Sequence, residues 1–253
     1  MIGNNQNKAL FMGQTRFWFD SVSSTNQTAA ELASQRDFIE GSAVIAKEQK
    51  AGRGQAQKGW DSFSGKDFMG SVLLKPTFIK AHQSFLLNIF SSLAVADVVC
   101  HYGIKPQVKW PNDIFIGNKK VSGILIENRL KAQSINQSII GIGLNVNGDF
   151  SNSEFQAISL SQVLGRKLDL LEVEARLMEG LEKRYLQLKS NASLKTEYMN
   201  LLMGYHEEVI LEIEGVQKKG KILHLDESGR IDLRFGSEDL HQLAHGEVKI
   251  IAG

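Results

Sequence analysis

The residues with chemistry to offer fall in one run, Val108-Lys109-Trp110-Pro111-Asn112-Asp113, with Lys120 seven residues on and then Ser122-Gly123-Ile124-Leu125-Ile126-Glu127. A cation, an indole, an amide and a carboxylate stand between two apolar runs, where a core strand would otherwise continue. Proline fixes its own φ, removes a backbone donor and pushes the preceding residue toward extended geometry. The strand is therefore expected to stop at Pro111 and present Asn112 and Asp113 at its end. Ile116-Gly117-Asn118-Lys119 is a hairpin signal that returns a second strand with Lys120 at its start. Two lysines and a carboxylate then converge at one sheet edge. By residue type alone this fits either a built polar site or a surface hairpin with ordinary exposed charges.

Three further stretches carry candidate ligand groups. Ser24 with Gln27 three residues later is a capping-box pattern, so a helix is expected to open here, its first turn offering Ser24, Thr25, Asn26 and backbone donors to a carbonyl or an anion. A plain helix cap gives the same pattern. From Lys47 to Trp60, three glycines and four cations with almost no aliphatic residue deny the segment a core of its own, so it is expected to be mobile when empty. Within it Gly52 and Gly54 allow close approach of backbone to a ligand and Arg53 offers a planar fork for phosphate, although a solvated loop has the same composition. It lacks the Gly-Lys-Ser/Thr ending of a Walker loop. Gly141 and Gly143 interrupt a strand-like run from Ser138 to Asn147, which points to close approach of a ligand or another backbone, or to a bulge.

Lys109-Trp110-Pro111-Asn112-Asp113, followed by Lys120 and Gly123-Ile124-Leu125-Ile126-Glu127, resembles the signature of biotin protein ligases, and five consecutive residues of unlike chemistry make the match specific. Ser24-Thr25-Asn26, Gln49 to Gly54 and Gly141-x-Gly143-x-Asn145 resemble three more motifs of that family in the same order, so the likeness covers almost the whole chain. It fails at Gln55-Ala56-Gln57, where many members carry further arginines. The resemblance implies an ATP-dependent ligase that activates biotin as biotinyl-5'-AMP, releasing pyrophosphate, and transfers it to a lysine of a biotin carboxyl carrier protein. By motif position it places Ser24, Thr25 and Asn26 at the ureido ring, and the loop with Gln49, Gly52, Arg53 and Gly54 over the adenylate. Lys120 falls between the biotin carbonyl region and the reacting carboxylate, Gly123 belongs to the same ligand-binding set, and Arg53 and Lys109 lie toward the phosphates. Asn112 falls on the phosphate or metal side of ATP. Asp113 would accept or orient the proton of the incoming lysine; Trp60 gives adenine an aromatic wall and Asn145 a polar edge. Arg53, Lys109, Asp113 and Lys120 form the implied catalytic set. Mg²⁺ would be carried mainly by the triphosphate, with no dedicated protein metal site. Where relatives have arginine, Gln55 offers the intermediate only neutral bonds, so faster escape of the adenylate is expected unless Lys58 or Arg53 compensates. A lipoate or octanoyl ligase or transferase of the same fold is the alternative; a transferring thiol would have to be Cys100, the only cysteine, in an expected core helix.

The elements that must position these groups read as an α+β domain over residues 1–200 and a small β-domain over 204–253, joined near Asn200 to Gly204. Phe85, Leu86, Ile89, Phe90, Leu93, Ala96 and Asp97 fall at helical spacing, and the polar residues within this run make it a core helix rather than a membrane span. Asp169 with Glu172 is a second capping box, opening a helix with Leu171, Ala175, Met178, Leu181, Tyr185 and Leu188 on one face. Beyond Tyr205, short alternating strands at 208–214, 219–225 and 230–235 with glycine turns suggest an SH3-like barrel. The family likeness implies a mixed catalytic sheet with packed helices, of the class II synthetase and biotin ligase type. A formal net charge of +1 carries no polyelectrolyte signature for nucleic acid or an anionic membrane. The segment before Arg16 is too short for a DNA-binding domain, so a short form without a repressor function is expected. One cysteine and no signal-peptide pattern fit the cytoplasm, with a monomer or homodimer as the expected assembly.

Overall fold

The computed structural model describes residues 8–34, 39–52, 54, 59–60, 62–153, 156–190, 192–205, 207–236 and 239–251. Seven strands form one mixed sheet: β1 (Arg16–Val22), β2 (Ala43–Gln49), β3 (Phe68–Leu74), β4 (Gln107–Lys109), β5 (Asp113–Ile116), β6 (Lys119–Lys131) and β7 (Ser134–Leu144), in the order β1-β2-β3-β7-β6-β5-β4. Only β1 and β2 run parallel; the other neighbours are antiparallel. Strand β3, interior to the sheet between β2 and β7, is buried along its whole length, so its sequence does not alternate between apolar and polar.

Helix α1 (Thr25–Leu32) covers one face over β2, β3 and β7, its Ala29 packed on Val44, Leu73 and Ile139. On the other face α2 (Leu86–His101) lies on β5 and β6, and α4 (Leu170–Lys189) and α5 (Lys195–Leu201) pack on α2; the short α3 (Leu160–Leu164) precedes them. The run through α2 is long and apolar enough to cross a membrane by composition, contrary to the reading from its polar residues; what it does instead is fill the core, with Leu87, Phe90, Leu93, Val95 and Val99 buried. Cys100 is a correction of the same kind. It is exposed, because it lies on the Asp97 and His101 side of the helix, turned away from the sheet.

Both helix starts expected from capping boxes are real, but neither box is a box. Ser24 is the N-cap of α1 without a side-chain cap bond, and Gln27 bonds Glu31 instead. Asp169 caps α4 by accepting from the Leu171 amide, while Glu172 pairs with Arg176 and Leu171 is exposed. A complete box occurs at Ser159 and Gln162, which the sequence reading passed over.

The C-terminal strands β8 (Val209–Ile213), β9 (Val216–Leu225), β10 (Ile231–Phe235), β11 (Asp239–Leu243) and β12 (Lys249–Ile251) form a five-stranded antiparallel sheet in the order β11-β10-β9-β8-β12, consistent with an SH3-like module. Its Leu211, Ile222, Ile231 and Leu233 belong to the same apolar core as α2 and α4. The stretch expected as a linker is packed: Leu202 pairs with Val108, and the Met203 amide donates to the Val108 carbonyl at 2.9 Å.

Candidate active site

A cavity of about 480 Å³ opens where α1, the middle of β6 and β7, the β4–β5 hairpin and the C-terminal module meet. Its floor is glycine because nothing larger fits. Gly123 and Gly143 are cross-strand partners, and a Cβ on either would run into the Trp60 indole; one on Gly141 would overlap the Asn26 amide. Register on both sides of β7 is continuous through Gly141 and Gly143, so the glycines serve close approach and not a bulge.

At the α1 end Ser24, Thr25, Asn26 and Ser71 are buried and neutral. The Thr25 amide and hydroxyl both reach Gln49 Oε1, at 2.8 and 3.1 Å. Ser71 Oγ lies 2.7 Å from Thr25 Oγ1 and 2.6 Å from Asn26 Oδ1, and Asn26 Nδ2 donates to Glu127 Oε2 at 2.7 Å. Ser24 lines the cavity beside them. Ser71 carries a hydroxyl beside the apolar run Val72-Leu73-Leu74 of a fully buried strand, and that misplaced polarity was the signal that could have marked it.

At the hairpin end the groups are charged. Pro111 follows a cis peptide bond within a tight connection that pairs Lys109 directly with Asp113, so Asp113 opens the returning strand rather than ending the first. Lys120 Nζ lies 2.7 Å from Asp113 Oδ1, with both side chains about a third exposed. Lys109 Nζ sits 5.2 Å from the Phe115 ring centre, and Lys120 Nζ 5.5 Å from that of Trp60. The hairpin is held from three sides. Trp110 Nε1 donates to the Gly229 carbonyl at 3.2 Å, Tyr198 Oη to the Pro111 carbonyl at 2.6 Å, and Asn112 Nδ2 to Asn88 Oδ1 at 2.7 Å. His245 of the C-terminal module closes on the Trp110 ring at 5.5 Å; burial holds its imidazole below the ordinary value, with the Asp113 carboxylate pulling the other way.

Between the two ends lies Asn145, 2% exposed, whose Nδ2 donates to the Lys120 and Ile158 carbonyls while Oδ1 is buried with no partner among the described residues. Asp67 steadies this stretch by accepting from the backbone amides of Val146, Asn147 and Gly148. Trp60 Nε1 is likewise buried and unpartnered among the described residues. Asn145 and Trp60 both line the cavity, and two unmet buried polar atoms on lining residues suit a ligand with polar edges.

The structure thus gathers Ser24, Thr25, Asn26, Gln49, Gly54, Trp60, Lys109, Asp113, Lys120, Gly123 and Asn145 around one cavity. Gly52 stands just behind, its carbonyl bonded to the Trp60 amide. Asn112 is buried and faces a separate recess of about 260 Å³ beside Asn88, Asn128 and Arg230. Arg53, Gln55 and Lys58, within the loop expected to be mobile, lie outside the described residues. The sequence reading missed Ser71 and the C-terminal contribution of His245, Gly246 and Lys249, which no local pattern announces.

Fold and cavity define a ligase of the type the motifs suggested. Residues 18–145 match the biotin/lipoate A/B protein ligase family, and the chain belongs to it. The bifunctional ligase/repressor BirA of Bacillus subtilis is 34% identical over 229 residues, covering 88% of this chain and 70% of that one. The biotin–[acetyl-CoA-carboxylase] ligase of Mycobacterium tuberculosis is 30% identical over 226 residues, covering 86% and 83%. Among solved structures, the biotin protein ligase from Aquifex aeolicus in complex with biotin and ATP superposes with a TM-score of 0.77 at 27% identity, covering 95% of this chain and 100% of that one.

Proposed function

We propose that this chain is an ATP-dependent biotin protein ligase that forms biotinyl-5'-AMP and passes the biotinyl group to a lysine of a biotin carboxyl carrier protein. The observation that carries the reading is one cavity with a neutral, hydrogen-bonding end at Thr25, Asn26 and Gln49 and a charged end at Lys109, Asp113 and Lys120.

In the first half-reaction a biotin carboxylate oxygen bonds to the α-phosphorus of ATP and the bond to pyrophosphate breaks. Two anions must meet, and Lys120 and Lys109 supply the compensating charge. Arg53 belongs to the same set by motif. In the second, the carrier amine attacks the anhydride carbonyl and AMP leaves. Asp113 accepts or orients the amine proton, its carboxylate held in place by the ion pair with Lys120. Thr25, Asn26 and Gln49 serve the ureido head, and Asn145 Oδ1 and Trp60 serve adenine. Asn112, turned toward Asn88, serves ATP only by way of the adjoining recess, which shares Pro111, Leu125 and His245 with the main cavity.

Mg²⁺ fits this donor set as a passenger of the triphosphate: Asp113 is the one carboxylate among the described lining residues, and no group of three or more ligating side chains stands among the described residues. Residues 1–200 form the catalytic unit and 204–253 an accessory one, in a cytoplasmic monomer or homodimer with no nucleic-acid or membrane partner. Cys100, exposed and outside the cavity, offers no thiol for octanoyl transfer. The test is pyrophosphate release on adding biotin and ATP, followed by label on a carrier protein. Release with lipoate and not with biotin would reverse the assignment within the same fold.

A further inference from the structure

Glu127 closes the Gly-Ile-Leu-Ile-Glu motif, yet nothing in the reaction above uses it. We propose that Glu127 is a positioning residue which fixes the facing of the Asn26 amide and, through Ser71, sets the hydrogen-bond polarity that Thr25 presents to the ligand head group. The inference rests on the ligase reading and deepens it.

Asn26 is 2% exposed and its amide lies flush on Gly141, so it can turn in place but not move aside. Nδ2 donates to Glu127 Oε2 at 2.7 Å and to the Leu125 carbonyl at 3.3 Å. An ionised carboxylate only accepts, so the amide nitrogen must face Glu127 and Oδ1 must face Ser71, 2.6 Å away. Ser71 has one hydroxyl proton. Given to Asn26 Oδ1, it leaves the Ser71 oxygen as an acceptor toward Thr25 Oγ1 at 2.7 Å. The Thr25 proton then goes to Ser71 or to Gln49 Oε1, and the Thr25 lone pairs remain for an N–H of the ligand. A cyclic urea, with N–H groups to give, matches that polarity. An amide in place of the carboxylate relaxes the constraint, leaving the longer bond to the Leu125 carbonyl as the one fixed acceptor on that side. Asn26 can then turn its nitrogen to Ser71, whose proton must move to Thr25 and occupy a lone pair meant for the ligand.

The experiment compares wild type, Glu127→Gln, Asn26→Asp and the double variant by biotin-dependent pyrophosphate release, with thermal unfolding as the check on folding. Glu127→Gln should raise KM for biotin by up to about tenfold, the worth of one charge-assisted hydrogen bond, with KM for ATP and kcat held within about twofold. Asn26→Asp alone sets two carboxylates face to face and should do more harm. In the double variant the carboxylate at position 26 accepts from both neighbours, Ser71 regains its original facing, and KM for biotin should return to within about threefold of wild type. Recovery of this kind is not expected of a role in packing alone. An unchanged KM for biotin in Glu127→Gln, or a double variant no better than either single one, would overturn the proposal while leaving the ligase reading in place. No biotin-dependent release from the wild type would overturn that reading and this proposal with it.

Discussion

At one end of the cavity Thr25, Asn26 and Ser71 are buried, neutral and bonded to one another, whereas at the other Lys109, Asp113 and Lys120 are charged and reached by solvent. The difference follows from what each end must do. A neutral ligand head is chosen by the direction of donors and acceptors, and direction is held best by a buried network in which every group is committed. Reacting anions instead need cations that can change partners. An ion pair such as Lys120–Asp113, about a third exposed, is worth roughly 0–1 kcal/mol, so it can be exchanged for substrate at little cost.

The strongest way to break this contrast is at the charged end. Lys120→Ala should cut adenylate formation by about a hundredfold to a thousandfold while leaving thermal stability nearly unchanged, since losing a half-solvated cation costs the reaction far more than the fold. A rapid-quench measurement of pyrophosphate release checks it; near-wild-type release from a folded variant would remove Lys120 from the chemistry.

Next in size is a charge that is buried rather than half-solvated. Glu174, paired with Arg16 at 3.2 Å, has its carboxyl raised to about 7 by burial, which outweighs the guanidinium's attraction. The native state therefore binds a proton that the unfolded chain has already lost, and stability falls as pH rises from about 4.5 to about 7. Relative to Glu174→Gln, the wild type should lose up to about 3 kcal/mol across that window, read by urea unfolding at pH 4 and pH 8. A pH-independent gap would show that burial does not shift this group.

At the neutral floor, Gly143→Ala should displace the Trp60 indole, raising KM for the small substrates about tenfold and shifting tryptophan emission. The mildest effect is expected at the hinge between the two ends and the C-terminal module. Trp110→Phe loses the bond to the Gly229 carbonyl, which should cost about 1 kcal/mol of stability and lower the rate severalfold with biotin affinity intact. If biotin affinity falls instead, the module reaches further than the hairpin.

Strand by strand, the catalytic sheet was readable because buried runs, proline and glycine turns act locally: Pro111 ends β4, and Gly117-Asn118 returns β6, as expected. Where a choice depended on helix phase against the rest of the fold, local reading failed. Cys100 and Leu171 looked like core positions and are exposed. Of the final strands, β11 is exposed and largely polar and β12 only three residues long, so neither carried an alternation strong enough to see.

By itself the sequence determined the chemical inventory of the site, because a lysine, an amide or a carboxylate keeps its chemistry wherever the chain places it, and the motif order specified the family. Tertiary structure alone decided direction and company. Asn112 and Asp113 are neighbours in the chain, yet one faces Asn88 in a separate recess and the other Lys120 in the main cavity. Asn26 and Glu127 are 101 residues apart and meet at 2.7 Å. His245 closes on Trp110 only because a second sheet docks there. Each of these is a contact between side chains brought together by sheet register and packing, and no local propensity encodes a partner so distant in the chain.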